Sequence, residues 1–170
     1  RHYTYRCTES IRGIAWSPDS LRIASASQNG QITIWDTVSG SILKTFKHSL
    51  GASAVAWSPD GKYIASGGFD KKVCIWDVNS ELCVFSYEGH TKSIHALTWS
   101  PNSKYIASGS ADKTVHVWNA LKGEITYVFT KHTNVVRSVV WSSKSRFIAS
   151  AGDDKIVYVW DPLEEKILFT

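Results

Sequence analysis

Ile32-Thr33-Ile34-Trp35-Asp36 is a stretch that this chain writes four times. It returns as Val73-Cys74-Ile75-Trp76-Asp77, as Val115-His116-Val117-Trp118-Asn119 and as Val157-Tyr158-Val159-Trp160-Asp161. The four tryptophans stand 41, 42 and 42 residues apart. A fixed spacing of about 40–45 residues marks a repeat architecture. Each copy alternates β-branched residues with others and ends on Trp plus a polar residue. That pattern predicts a strand, not a helix.

Outward from this stretch, each repeat predicts four short strands joined by tight turns. The repeats run from about 7 to 47, 48 to 89, 90 to 131 and 132 to 170. The first turn reads Ser17-Pro18-Asp19-Ser20, Ser58-Pro59-Asp60-Gly61 and Ser100-Pro101-Asn102-Ser103, with Pro where a turn accepts it. No segment carries a helical period. The first strands place Ile14, Val55, Leu97 and Val139 near one end and finish on Trp16, Trp57, Trp99 and Trp141. Such sheets are apolar on both faces, so single units must stack. The expected fold is all-β: a β-propeller of four four-stranded antiparallel blades, forming one domain over 1–170.

Bulk numbers narrow the function classes. Apolar residues make up 43% and charged residues 20%, the balance of a globular chain. A net charge of +4 permits an acidic partner without requiring one. No apolar run approaches the ~20 residues of a membrane span, and Arg1-His2-Tyr3-Thr4 has no leader character. Cys7, Cys74 and Cys83 make an odd count without metal-type spacing. They read as reduced thiols of an intracellular, cytoplasmic protein.

Further positions recur in register. His48, His90 and His132 precede a first-strand Trp by nine residues. Ser66, Ser108 and Ser150 close second strands, and Asp70, Asp112 and Asp154 stand six residues before the third-strand Trp. With Gly89-His90 and the Trp-Asp ends, the chain resembles the WD-repeat family along essentially its whole length. The resemblance implies a hydrogen-bonded tetrad in each of three blades: His48-Ser66-Asp70-Trp76, His90-Ser108-Asp112-Trp118 and His132-Ser150-Asp154-Trp160. Ser, His and Asp together also spell a catalytic triad. A hydrolase needs one exposed nucleophile, however, and here the trio occurs once per structural unit. His2, His95 and His116 fall outside the tetrads and are not expected to cluster as metal ligands. No phosphate loop, cofactor or metal is expected.

The resemblance further implies protein or peptide binding on the face carrying the loops between fourth and first strands and between second and third strands. The candidates there are Ser10, Arg12 and Gln28; Gly51, Ser53 and Phe69; Ser93, His95 and Ala111; Val135, Arg137 and Asp153. Arg12, Gln28, Phe69, His95, Arg137 and Asp153 are the partner-binding set. Phe69 stands out, because aromatics and Arg are enriched at binding hot spots; its alternative is packing on a neighbouring loop. On the opposite face, Lys62, Lys104 and Arg146 form an arc of charge. It reads as solvated strand-start cations, and nucleic acid is not the expected partner.

Four blades are few for rings that commonly close with about seven or eight. The expectation is therefore an open half of an eight-blade ring. It is completed either by a second chain, with residues 1–6 finishing an outer strand, or by further repeats of a longer protein. The function expected is a non-catalytic binding scaffold. The competing classes are a self-assembling structural module and, more distantly, a binder of anionic ligands.

Repeat one departs from the pattern, with Cys7 in place of His and Asn29 in place of Asp. Its blade should be the least stable. Amide hydrogen exchange should show weaker protection in the second and third strands of repeat one than in those of repeat three; equal protection would contradict this.

Overall fold

Short alternating strands linked by three- to six-residue turns pair with their sequence neighbours, and each repeat folds as an antiparallel meander. The computed structural model describes residues 7–170. The calls that rest on residues 1–6 lie outside the described residues.

Blade one holds β1 (Ile11–Trp16), β2 (Arg22–Ser27), β3 (Gln31–Asp36) and β4 (Ile42–Lys47). Blade two holds β5 (Ala52–Trp57), β6 (Tyr63–Gly68), β7 (Val73–Asp77) and β8 (Cys83–Tyr87). Blade three holds β9 (Ile94–Trp99), β10 (Tyr105–Ser110), β11 (Val115–Asn119) and β12 (Ile125–Phe129). Blade four holds β13 (Val136–Trp141), β14 (Ile148–Gly152), β15 (Val157–Asp161) and β16 (Lys166–Phe169). Each sheet keeps sequence order and antiparallel pairing throughout. The first strands pack in chain order, β1 on β5, β5 on β9 and β9 on β13. They therefore form the inner edge of the assembly.

The recurring turn residues have recurring jobs. Ser58, Ser100 and Ser142 each accept, on Oγ, the backbone N–H five residues on, at 2.9 Å. The residue after the third-strand Trp caps the next turn: Asp77 Oδ1 accepts the N–H groups of Asn79 and Ser80 at 2.9 and 2.8 Å. Asn119 does the same for Leu121 and Lys122 at 3.2 and 3.1 Å, so its amide oxygen replaces the carboxylate without loss of the turn. Lys71, Lys113 and Lys155 follow the turn aspartates with φ of 68°, 75° and 66°. That left-handed conformation is uncommon for non-glycine residues, and the Asp side chain stabilises it by accepting the N–H two residues later.

Apolar burial occurs mainly between blades. Ile32, Ile34, Val55 and Trp57 share one cluster across blades one and two, and Val115, Val117, Val139 and Trp160 share another across blades three and four. The two end faces have no such cover. Trp16 is 58% exposed and Ile14 69%, against 7% for Trp57 and 8% for Val55 at the same repeat positions. On the far side Val157 is 56% exposed, whereas Ile32, Val73 and Val115 are fully buried.

Close approach between blades fixes small residues in the second strands. A Cβ on Gly67 would lie 2.5 Å from Ile94 Cγ2 and 2.8 Å from its Cβ. Gly67→Ala must push two β-strands apart, so it should destabilise the chain by about 1–3 kcal/mol in urea denaturation. A neutral effect would mean that blades two and three are packed more loosely than described.

Candidate functional site

The second and third strands bring Ser and Trp side by side in each blade, and in blades two to four the loop leading into the blade lays an imidazole over them. In blade two, Trp76 Nε1–H donates to Ser66 Oγ at 2.7 Å, and Ser66 Oγ lies 2.6 Å from His48 Nε2. His48 Nδ1 lies 3.1 Å from Asp70 Oδ2. Blade three repeats this: Trp118 to Ser108 at 3.3 Å, Ser108 to His90 at 2.9 Å and His90 to Asp112 at 2.8 Å. In blade four the corresponding distances are 3.2, 2.9 and 2.7 Å for Trp160, Ser150, His132 and Asp154. An ionised carboxylate only accepts, so Nδ1 must carry the imidazole proton. Nε2 then accepts from the serine hydroxyl, and that hydroxyl accepts from the indole.

Each aspartate also works on two loops at once. Oδ1 holds the turn that follows it, and Oδ2 reaches the histidine loop. There it accepts the Ser49 hydroxyl at 2.7 Å, or the N–H of Thr91 or Thr133 at 3.0 and 3.1 Å. Burial opposes the charge on Asp112, but bonds from His90, the Thr114 hydroxyl and the Thr91 N–H outweigh it and hold the carboxyl below the usual range. Asp70 and Asp154 are depressed by the same balance.

This arrangement is not that of a hydrolase. Ser66, Ser108 and Ser150 are at most 1% exposed, and each hydroxyl already sits between an indole and an imidazole. No substrate can approach these oxygens. Blade one keeps only part of the network. Trp35 Nε1–H donates to Ser25 Oγ at 2.8 Å, and Asn29 Oδ1 accepts the Gln31 N–H at 3.0 Å. Cys7 is exposed.

Blade three carries an addition that the repeat pattern does not announce. His116 lies on the third strand, and its ring stacks on His90 with centroids 3.8 Å apart. Tyr87 closes the group, its hydroxyl hydrogen-bonded to His116 Nδ1 at 2.7 Å. A Cβ on Gly89 would run into that hydroxyl, which accounts for glycine before His90. His90, Asp112 and His116 bring ligand-type atoms within 4.8 Å of one another. They do not fit a metal ion. Both nitrogens of His90 are engaged by Asp112 and Ser108, and rings only 22° from parallel direct their lone pairs side by side. A metal needs those pairs to converge at about 2.0–2.1 Å. The sequence signal for this cluster was slight: Thr33, Cys74, His116 and Tyr158 share one repeat position and have no residue type in common.

The six partner-binding candidates come to one face. In every blade the two loops of that face are tied by one backbone bond: Gln28 N–H to Ser10, Phe69 to Gly51, Ala111 to Ser93 and Asp153 to Val135, at 2.8–2.9 Å. Arg137 grips Asp153 with Nε and Nη2 at 2.7–3.0 Å. Arg12 Nη2 donates to Gln28 Oε1 at 2.7 Å. His95 is half-buried; its burial and Arg137 lower its pKa against the pull of Asp153. Phe69 is 36% exposed, and its ring lies over Gly51, where a Cβ would stand 2.7 Å from it. On the opposite face Lys62 and Lys104 are exposed. Arg146 is drawn to Asp161 and Glu164 at 3.4 Å and lies over the Phe147 ring.

Four-stranded blades stacked on their inner strands, three of them locked by a Trp–Ser–His–Asp network, define a β-propeller repeat protein. The chain matches the family described as WD domain, G-beta repeat, over residues 2–36, 40–77, 81–119 and 123–161, and it belongs to that family. These matches end on the Trp-Asp or Trp-Asn pair, so each of the second to fourth sequence repeats supplies the outer strand of one blade and three strands of the next. A stretch of 38 residues is 45% identical to Periodic tryptophan protein 2 of Saccharomyces cerevisiae, covering 22% of this chain and 4% of that protein. The fold superposes on the solved structure of U3-55K with a TM-score of 0.89 and 29% identity, over 96% of this chain and 52% of that one. The RRP9 WD40 repeats give 0.89 and 29% over 97% and 52%. The chain thus spans about half the length of these solved chains.

The His116 cluster has a pH signature. Burial, helped by the neighbouring His90, pushes His116 down to about 4 from an ordinary 6.5. Between those values the unfolded chain binds the proton and the folded chain does not, so stability falls as pH drops through this window. The full effect corresponds to about 3 kcal/mol. Urea denaturation at pH 7 and pH 4.5 should reveal it, and His116→Asn, which keeps a hydrogen-bonding group for Tyr87, should flatten it. An unchanged slope in H116N would assign the acid sensitivity elsewhere.

Proposed function

We propose that this chain is a non-catalytic scaffold that holds a protein or peptide segment on the face bearing Phe69, Arg137 and Asp153. The observation that carries this reading is the division of labour between positions. Residues that recur are buried in the tetrads and turns. Residues that vary stand together on one face, on loops tied by an identical backbone bond in all four blades. Invariant mechanics beneath a variable surface suit recognition, since loops on a rigid support present binding residues at low ordering cost.

Chemistry narrows the ligand. Asp153 neutralises Arg137, and Gln28 engages Arg12, so little unopposed charge is left on this face. An apolar or aromatic side chain seated against Phe69, with polar contacts to the Arg137–Asp153 pair and His95, is the ligand this surface fits best. Binding of nucleic acid through Lys62, Lys104 and Arg146 is a weaker reading, because Arg146 is already held by Asp161, Glu164 and Phe147. The three free cysteines accord with a location inside the cell, and we place it in the cytoplasm. Among the described residues no helix is long and apolar enough to cross a membrane.

Peptides selected from a displayed random library on the immobilised chain provide the test. Phe69→Ala with Arg137→Ala should weaken the selected peptides about tenfold or more. Lys62→Ala with Lys104→Ala on the opposite face should leave them unchanged. The reverse pattern would overturn the assignment of the face.

A further inference from the structure

Resting on the scaffold role given above, we propose that the loops of blade two anchor an acidic linear peptide. A large apolar side chain of the peptide seats on Leu50 and Phe69, and carboxylates beside it meet Lys71 and Lys92.

Comparison of the blades at fixed repeat positions isolates this spot. Leu50 stands two residues after His48, where the other blades carry Glu9, Lys92 and Asn134. Phe69 stands one residue before Asp70, where they carry Gln28, Ala111 and Asp153. Blade two alone fills both positions with large apolar residues. Leu50 is 56% exposed and Phe69 36%. Blade two is flanked on both sides, with β5 packing on β1 and on β9, so this exposure belongs to its loops rather than to an uncovered blade face.

The two side chains are neighbours on a fixed support. The Phe69 N–H donates to Gly51 O at 2.8 Å, and the ring lies over Gly51, the residue after Leu50. Gly68 permits the same close approach: a Cβ there would lie 2.5 Å from Gly51 O. Beneath them, Asp70 Oδ2 lies 3.1 Å from His48 Nδ1 and accepts the Ser49 hydroxyl at 2.7 Å. The relay of blade two therefore ties together the two loops that carry Leu50 and Phe69. Single apolar residues on a surface are ordinary, but a paired set held in place on a binding face offers its burial to a ligand at low ordering cost.

Charge around the pair has mostly one sign. Lys71 lies in the same turn as Phe69, and Lys92 lies on the loop leading into β9. The strand end bearing Phe69 packs beside that loop, since Gly67 lies under Ile94. Both lysines are exposed, and among the described residues neither is in an ion pair. Toward blade one, Lys47 donates to Asn29 O at 2.6 Å, a neutral acceptor that leaves its charge unbalanced. The nearby acids are committed, Asp70 to the relay and Glu88 to Lys72 at 2.6 Å. Glu9 stands on the corresponding loop of blade one, on the side away from Lys92. An apolar anchor flanked by unpaired ammonium groups fits a Leu, Phe or Trp with Asp or Glu next to it. Nucleic acid would meet the same cations, but Leu50 offers no ring for a base to stack on.

Peptides selected from a displayed random library on the immobilised chain, then measured by fluorescence anisotropy, test the proposal. The expected sequences carry a large apolar residue with Asp or Glu as near neighbours. Leu50→Ala and Phe69→Ala should each weaken them about tenfold. Lys71→Gln with Lys92→Gln should weaken them about fivefold and flatten the dependence of affinity on salt. Lys62→Gln with Lys104→Gln, on the opposite face, should change neither. All these side chains are exposed, and Glu81 and Glu165 already hold the left-handed conformation of Lys71, so the variants should fold, as circular dichroism will check. Peptides that need Phe69 and Arg137 but carry no acidic residues, or ignore the loss of Lys71 and Lys92, overturn this inference and leave the scaffold role standing. Peptides indifferent to Phe69 and Arg137, or a library without binders, overturn the scaffold face and this inference with it. An oligothymidylate that binds as tightly, and responds to the lysines but not to Leu50, overturns the peptide in favour of nucleic acid.

Discussion

A buried indole N–H needs an acceptor, and a buried carboxylate needs donors. Leaving either alone inside a protein costs about 1–3 kcal/mol or more. In three blades of this chain the two needs are met by one chain of bonds, from Trp through Ser and His to Asp. The consequence reaches beyond the four residues. Trp belongs to the third strand, Ser to the second, Asp to the turn between them and His to the loop that leads into the blade. The network therefore ties the sheet to its two loops on the binding face. It also holds that face in shape, because the same Asp oxygen accepts from the residue after the histidine.

This rigidity separates two kinds of position. The complete tetrads join buried groups of the sheet to its loops, so their members are held to a fixed chemistry. The same backbone bond fixes the loop tip in every blade, so the side chains there can differ, and they do: Gln28, Phe69, Ala111 and Asp153 occupy one repeat position. The blade faces follow a third rule. They are apolar on both sides because every blade must be covered twice, and the first and last blades reveal the requirement by leaving Trp16 and Val157 bare.

Much of this was readable in the amino-acid order. The 41- and 42-residue spacing, the alternation within each strand and the Pro-containing turns place the sixteen strands to within a residue or two. The tetrads were legible because they recur. His116 was not: its partners Tyr87 and His90 come from β8 of the preceding blade and the loop that follows it, and no repeated residue type marks the position. Phe69 was visible as an unusual turn residue, but its contact with Gly51 depends on the path of a neighbouring loop. Likewise the pairing of Arg137 with Asp153 could not be seen from residues sixteen apart until the two loops were placed together.

The central claim is that the histidines are fixed members of a structural relay, with the proton on Nδ1 and the serine hydroxyl pointing at Nε2. Nitrogen-15 chemical shifts of the imidazoles at neutral pH measure this directly. We expect His48, His90 and His132 to carry a proton on Nδ1, with indole protons of Trp76, Trp118 and Trp160 that exchange slowly with water. Imidazoles protonated at Nε2, or indole protons that exchange as fast as those of an unfolded chain, would contradict the account.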